Sequence, residues 1–150
     1  MLPQHAACNV WGMPDTVRPR PCPTCPYRCD VPSGIWAAEE YEKLPAFDGE
    51  IAAQAIAGAI RAFYCHGSAA YLCAGWAGHR DPLDLLAVRL GLSVGHLDPT
   101  VAGYTTDVPL FRSGAEAAAH GLRDIDTPGP AAIRASRKLL ELDPARLPEG

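Results

Sequence analysis

Hydrophobic residues recur at the spacing of an α-helix in several short stretches of the chain. Helices are predicted over residues 37–44, 50–62, 84–90, 114–120 and 130–142. Ser113 and Glu116 have the spacing of a capping box, and Pro130 suits the first turn of the last helix. No apolar run reaches the roughly 20 residues that cross a bilayer, which argues against a spanning helix.

The buried face of each predicted helix follows from the same spacing. Trp36, Tyr41 and Leu44 are expected to pack inward from a helix that Ser33 caps. The inward face predicted for the second helix consists of Ala52, Ile56, Ala59, Ile60 and Phe63. Gly91 is expected to end the helix over 84–90, because glycine commonly follows the last helical turn.

A short β-hairpin is predicted in the middle of the chain. Residues 63–66 and 71–73 flank the connection 67–70, whose four residues suit a tight hairpin. Cys65 and Cys73 would then lie side by side. The predicted fold class is therefore α+β, mainly α, as a small, irregular, metal-stapled domain with one hairpin and several short helices.

Proline content and periodicity divide the chain into three parts. Residues 1–20 have little periodicity and are predicted to form a flexible N-terminal arm. Residues 21–142 are predicted to form a single metal-binding domain, since 150 residues fit one domain. Residues 143–150 are predicted to be a frayed tail.

Two pairs of cysteines are the strongest chemical signal. Cys22 and Cys25 form a CxxC step, which lets two thiolates face one ion from a single tight turn. Cys65 and Cys73 follow about forty residues later and can supply the other half of a tetrahedral site. These four residues are the predicted metal ligands.

Prolines shape the turn that carries the first pair. Pro23 and Pro26 each follow a cysteine, so the missing N–H groups fall there. The amides of Thr24, Cys25, Tyr27 and Arg28 remain free to point at sulfur. Arg28 adds a positive charge beside the thiolates, which would lower their pKa values.

Zinc is the predicted metal, and a [4Fe–4S] cluster is the alternative. The run Cys22-x2-Cys25-x3-Cys29 has part of the cysteine spacing of bacterial ferredoxins. Those proteins have one more cysteine upstream, at the position where this chain has Pro19. One CxxC step with a distant second pair is commoner in structural zinc sites. Zinc is therefore preferred.

Disulfides and inert thiols are the alternatives to metal binding for these cysteines. Six cysteines could form disulfides in a secreted protein, but no charged stretch precedes an apolar one after Met1, so a reducing cytoplasm is expected. Cys8 and Cys29 are expected to be inert thiols. Cys29, His66 and His79 are the possible substitute ligands or outer-shell donors.

The net charge and its distribution argue against some classes of binding partner. The net charge is −4, and residues 36–60 account for it, because their five acidic residues face Lys43 alone. Generic nucleic-acid binding is disfavoured, since it depends on clustered Lys and Arg. A protein partner is expected instead, with Trp11, Tyr27, Trp36 and the acidic surface over 39–50 as candidate contacts.

Familiar catalytic motifs are missing. The sequence has no Walker A, GxGxxG, HExxH or GxSxG motif. An interaction or accessory module is therefore preferred to an enzyme. A zinc enzyme with an open coordination position is kept as a third hypothesis, with Asp30 or His79 as its general base.

Several blocks of the chain resemble a known family. They are Pro21-Cys-x-x-Cys-Pro-Tyr-Arg28, Asp30–Trp36, Glu40–Leu44, Cys65-His66 and Cys73-Ala-Gly-Trp76. Together they look like an uncharacterised small-protein family of actinobacteria and their phages, known only as a domain of unknown function. The resemblance spans roughly residues 20–112 and implies that Cys22, Cys25, Cys65 and Cys73 are the motif cysteines. It implies no activity, substrate or partner.

Overall fold

The structure is a computed structural model that describes residues 13–57, 60–66 and 68–142. The predictions for Cys8, Trp11 and most of the arm lie outside the described residues. The predicted tail over 143–150 lies outside them as well.

Short helices make up most of the regular secondary structure in the described chain. The α-helices are α1 (Ala38–Glu42), α2 (Ile51–Ile56), α3 (Ala74–Gly78), α4 (Leu86–Ser93), α5 (Gly114–Leu122) and α6 (Pro130–Leu142). Single 3₁₀ turns cover Leu44–Phe47, Pro82–Asp84 and Pro99–Gly103. The fold is therefore α+β and mainly α, as predicted. Within the described ranges, no helix has the length and apolar character needed to cross a membrane.

A small sheet lies among these helices. Its strands are β1 (Thr16–Val17), β2 (Tyr64–Cys65) and β3 (Ser68–Leu72), in the order β1-β3-β2. β2 and β3 pair antiparallel, with Tyr64 opposite Leu72, and this confirms a hairpin. Its predicted bounds are wrong, because β3 already begins at Ser68, and Cys65 pairs with Ser68 across a register shift and not with Cys73. β1 pairs parallel with β3, so residues from the segment predicted as an arm extend the sheet.

The predicted cap of α1 is wrong, although its buried face is right. The N-cap residue is Ala37, which has no side-chain capping bond. Ser33 instead donates its hydroxyl to the carboxylate of Asp124. Trp36 and Tyr41 are buried as predicted, and the Tyr41 hydroxyl accepts hydrogen bonds from the backbone amides of residues 35 and 36.

The second predicted helix is shorter and turned differently. α2 ends at Ile56, whose side chain is 89% exposed, and Ile60 is 56% exposed. The buried residue of α2 is Gln54, whose amide bonds the carbonyls of Gly49 and Asp84 and the backbone amide of residue 86. These backbone groups need polar partners once buried, so a polar side chain takes the inward position. Ala59 lies outside the described residues.

Gly91 does not end its helix. α4 continues to Ser93, and a Cβ atom at Gly91 would lie 2.6 Å from Cγ of Leu97. The glycine therefore permits close packing of Leu97 against the helix. The capping of α5 follows the prediction, because the Ser113 hydroxyl accepts the amide of Glu116 at 3.1 Å.

Candidate metal centre

Two of the four motif cysteines meet in the core. The Sγ atoms of Cys25 and Cys73 lie 3.8 Å apart, although 48 positions separate them in the chain. Cys25 is fully buried, and Cys73 is 3% exposed. The CxxC turn and the end of the hairpin therefore meet at their cysteines, which is the arrangement that a shared metal requires.

Backbone amides point at sulfur in the CxxC turn. The amide of Thr24 acts to lower the pKa of the Cys22 thiol, and the amide of Tyr27 acts to lower that of the Cys25 thiol. The amides of Cys25 and Arg28 were also predicted to face sulfur, but they bond the carbonyls of Cys22 and Cys25 at 3.0 and 3.1 Å, which closes the turn. Such N–H···S bonds orient metal-binding cysteines and offset their charge.

The start of α3 shapes the other side of the site. Cys73 is the N-cap of this helix, and its Sγ accepts the amide of Trp76 at 3.5 Å. A Cβ atom at Gly75 would lie only 2.3 Å from Sγ of Cys25, so a glycine is needed for the two segments to approach. Trp76 is fully buried, and its indole donates to the carbonyl of Phe47 at 2.9 Å.

Arg18 is a site residue that the sequence reasoning missed. It follows β1, and its Nη1 lies 3.4 Å from Sγ of Cys65. That hydrogen bond raises the pKa of Arg18, and the nearby sulfurs of Cys65, Cys22 and Cys73 raise it further against the effect of burial. The guanidinium is thus close to three of the motif cysteines. Only the pairing of β1 with β3 could have revealed it.

Arg28, the cation predicted to lie beside the thiolates, forms its hydrogen bonds with Asp30 and Pro21. Its Nε and Nη2 atoms donate to the two carboxylate oxygens of Asp30 at 2.8 and 2.7 Å. Its Nη1 atom bonds the carbonyl of Pro21 at 3.3 Å. Most of its hydrogen-bonding capacity therefore serves the loop and Asp30.

The thiols of Cys22 and Cys25 both have raised pKa values because of their surroundings. The hydrogen bond to Cys25 and burial raise the pKa of Cys22. The hydrogen bond to Cys22 lowers the pKa of Cys25, but its contact with Cys73 and burial more than reverse this effect. Neighbouring thiolates repel one another, so they do not ionise together without a cation between them.

The described residues do not present a complete ligand set. Within residues 13–57, 60–66 and 68–142, no group of three or more His, Cys, Asp or Glu side chains is arranged to hold a metal ion. The cysteines in these ranges are free thiols, with no disulfide among them. A four-sulfur site needs the thiols of Cys22 and Cys65 to turn toward the Cys25–Cys73 pair.

The possible substitute ligands have other surroundings. His66 Nε2 lies 2.6 Å from a carboxylate oxygen of Glu40, and Cys29 is exposed. His79 is buried with Nδ1 at 2.5 Å from the carbonyl of Trp76 and Nε2 at 2.9 Å from Asp48. Both ring nitrogens of His79 and Nε2 of His66 are therefore engaged with groups other than the Cys25–Cys73 pair.

His79 and Asp48 form a buried hydrogen-bonded pair. The side chains of His79 and Asp48 are 0% and 5% exposed. Burial would raise the pKa of Asp48, but the hydrogen bonds from His79 and from the amide of Gly114 hold it below its ordinary value. Both ring nitrogens of His79 are therefore occupied by hydrogen bonds inside the protein.

Two of the predicted partner contacts are wrong. Tyr27 is fully buried and Trp36 is 8% exposed, so neither can present its ring to a partner. Within the acidic surface over 39–50, Asp48 is buried as well. The sequence signal was misleading because aromatic residues near a loop serve a core as readily as an interface.

Comparison with known proteins identifies a family for this chain. A family of unknown function, DUF6283, matches residues 17–140. This range contains all four motif cysteines, Arg18 and nearly all of α6. The chain matches no curated protein and no solved structure.

Proposed function

We propose that this chain, which belongs to the family of unknown function DUF6283, is a small structural zinc domain. In this proposal Cys22, Cys25, Cys65 and Cys73 bind one zinc ion as thiolates. The domain serves as an interaction or accessory module for a protein partner. It acts in the cytoplasm, where thiols remain reduced.

The contact between Cys25 and Cys73 carries the proposal. Sulfurs bound at about 2.3 Å to one tetrahedral zinc lie about 3.8 Å from each other. The Sγ atoms of Cys25 and Cys73 have this separation. Two thiols contributed by distant segments therefore already have the spacing of ligands to a single ion.

The surroundings of the sulfurs support the same function. The amide of Trp76 bonds the thiol of Cys73, and the amides of Thr24 and Tyr27 act to lower the pKa values of the Cys22 and Cys25 thiols. Arg18 bonds the remaining thiol, that of Cys65. Four thiolates around a divalent ion leave a net charge of about −2, and these donors offset that charge.

The [4Fe–4S] alternative fits the observed contact less well. Each cysteine of such a cluster binds a different iron atom, so its sulfurs are held farther apart than two sulfurs on a single ion. The 3.8 Å separation of Cys25 and Cys73 therefore favours zinc.

The zinc-enzyme hypothesis lacks an available general base. His79 uses both ring nitrogens in hydrogen bonds, and Asp30 is held by two bonds from Arg28. A site closed by four sulfurs also has no open position for water or substrate. Its contribution is then to folding, which favours a module over an enzyme.

Metal analysis of anaerobically purified protein tests this function. We expect one zinc per chain, no iron and no visible absorption band. The variant Cys29→Ser should retain its zinc, whereas the double variant Cys22→Ser/Cys25→Ser should lose it, because only the latter removes proposed ligands. A brown, iron-containing protein would instead support the [4Fe–4S] alternative. A folded protein without any metal would contradict both.

A further inference from the structure

A cleft outside the proposed metal site has the character of a small-molecule site. It lies between α6 and the start of α1 and has a volume of about 520 Å³. Ile35, Leu139 and Leu140 give it apolar walls, and Glu40 and His66 contribute polar atoms. Ligand sites typically enclose about 300–1,000 Å³ of mostly apolar surface with a few convergent polar groups. This cleft meets that description.

Glu40 presents one carboxylate oxygen that the described residues leave unpaired. Lys43 and His66 both bond Oε2 of Glu40. In the described part of the chain, no hydrogen bond is made to its Oε1. Burial raises the pKa of Glu40, but the bonds from Lys43 and His66 outweigh this and lower it, so the carboxylate is ionised at neutral pH. The Glu40 side chain is 35% exposed, so this ionised oxygen is accessible to a hydrogen-bond donor of a ligand in the cleft.

The wall next to Glu40 is held in place by its own contacts. The indole of Trp36 donates to the carbonyl of Thr24 at 2.8 Å, and its ring lies 4.5 Å from the ring of His66. Across the cleft, the hydroxyl of Ser136 on α6 bonds the carbonyl of Ile35 at 2.8 Å. The cleft is therefore bounded by side chains in defined positions, which reduces the ordering cost of binding.

We propose that this cleft binds a small primary amine with an apolar body. The ammonium group donates a charge-assisted hydrogen bond to Oε1 of Glu40, and the apolar body packs against Leu139 and Leu140. Glu39, Glu40 and Glu42 of α1 outnumber the neighbouring Lys43, so this end of the cleft attracts a cation and repels an anion. The site does not depend on the proposed zinc function.

Calorimetric titration with three matched ligands tests the site. The ligands are 2-phenylethylamine, the neutral 2-phenylethanol and the anionic 3-phenylpropionate. We expect the amine to bind about tenfold more tightly than the alcohol, as one charge-assisted hydrogen bond suggests, and the carboxylate to bind most weakly. Equal or tighter binding of the carboxylate would overturn the proposal, as would no binding of the amine at millimolar concentration.

Two variants separate the carboxylate from the apolar walls. Glu40→Gln should weaken the amine about tenfold and leave the alcohol unchanged, while the matched control Glu39→Gln, on the same helix, should leave both unchanged. Ala37→Leu places a larger side chain at an exposed cleft position and should weaken both ligands. Circular dichroism verifies that each variant is folded. Unchanged amine binding by folded Glu40→Gln would overturn the assignment of Glu40.

Discussion

Replacing Cys73 with Ser is expected to unfold much of the domain. The Cys73 thiol contacts Cys25 and caps the start of α3. The change therefore removes a proposed zinc ligand at the point where the CxxC turn meets the hairpin. Binding of structural zinc is worth about 10–16 kcal/mol in small zinc peptides, whereas a whole domain is stable by only about 5–15 kcal/mol. Loss of helical circular dichroism and of bound zinc measures the effect.

The matched control for this substitution is Cys29→Ser. Cys29 is exposed, and its backbone amide, which bonds the carbonyl of Pro109, remains in the variant. Its free energy of unfolding should change by less than about 0.5 kcal/mol, as is usual for surface positions. A Cys73→Ser protein that melts with wild-type cooperativity and stability would argue against a structural role for the thiol cluster.

The second large effect is expected from Asp48→Asn. The Asp48 carboxylate accepts hydrogen bonds from the fully buried His79 and from the amide of Gly114 at the start of α5. The neutral amide of asparagine loses the charge-assisted part of these bonds and places an NH₂ donor in the buried site, which typically costs about 1–3 kcal/mol. Urea denaturation at neutral pH measures this loss. The exposed Asp107→Asn, whose partner Arg20 is also exposed, should cost less than about 0.5 kcal/mol.

The pH dependence of the Asp48 effect has a definite sign. The pKa of Asp48 in the fold is below its ordinary value, so its stabilisation is fully present above the unfolded pKa of about 3.9. It is lost as the pH falls through the lower, folded pKa. The stability difference between wild type and Asp48→Asn should therefore be equal at pH 7 and pH 5 and shrink below about pH 4. A difference that vanished by pH 5 would show that another group controls it.

Local chemistry explains which elements were predictable. The hairpin, the capping of α5 and the bounds of α6 each depend on residues that are close in sequence, such as Ser113 with Glu116. The contact of Cys25 with Cys73 was also accessible, because ligand spacing has a recognised chemical meaning even across 48 positions.

Features that depend on distant partners could not be read from the sequence. Gln54 is buried because it serves backbone groups near Gly49 and Asp84, and its apolar neighbours had suggested the opposite orientation. Arg18 reaches Cys65 only because β1 pairs with β3, and His79 meets Asp48 across 31 positions. No periodic pattern encodes such contacts, since each joins residues from separate elements.

X-ray absorption at the zinc edge of the purified protein tests the central proposal most directly. We expect four sulfur ligands at about 2.3 Å and no light-atom ligand. The variant Cys65→Ser should show one fewer sulfur if it retains zinc, which would assign the ligand beside Arg18. A zinc environment made mainly of nitrogen or oxygen, or one with only two sulfurs, would contradict a site built from Cys22, Cys25, Cys65 and Cys73.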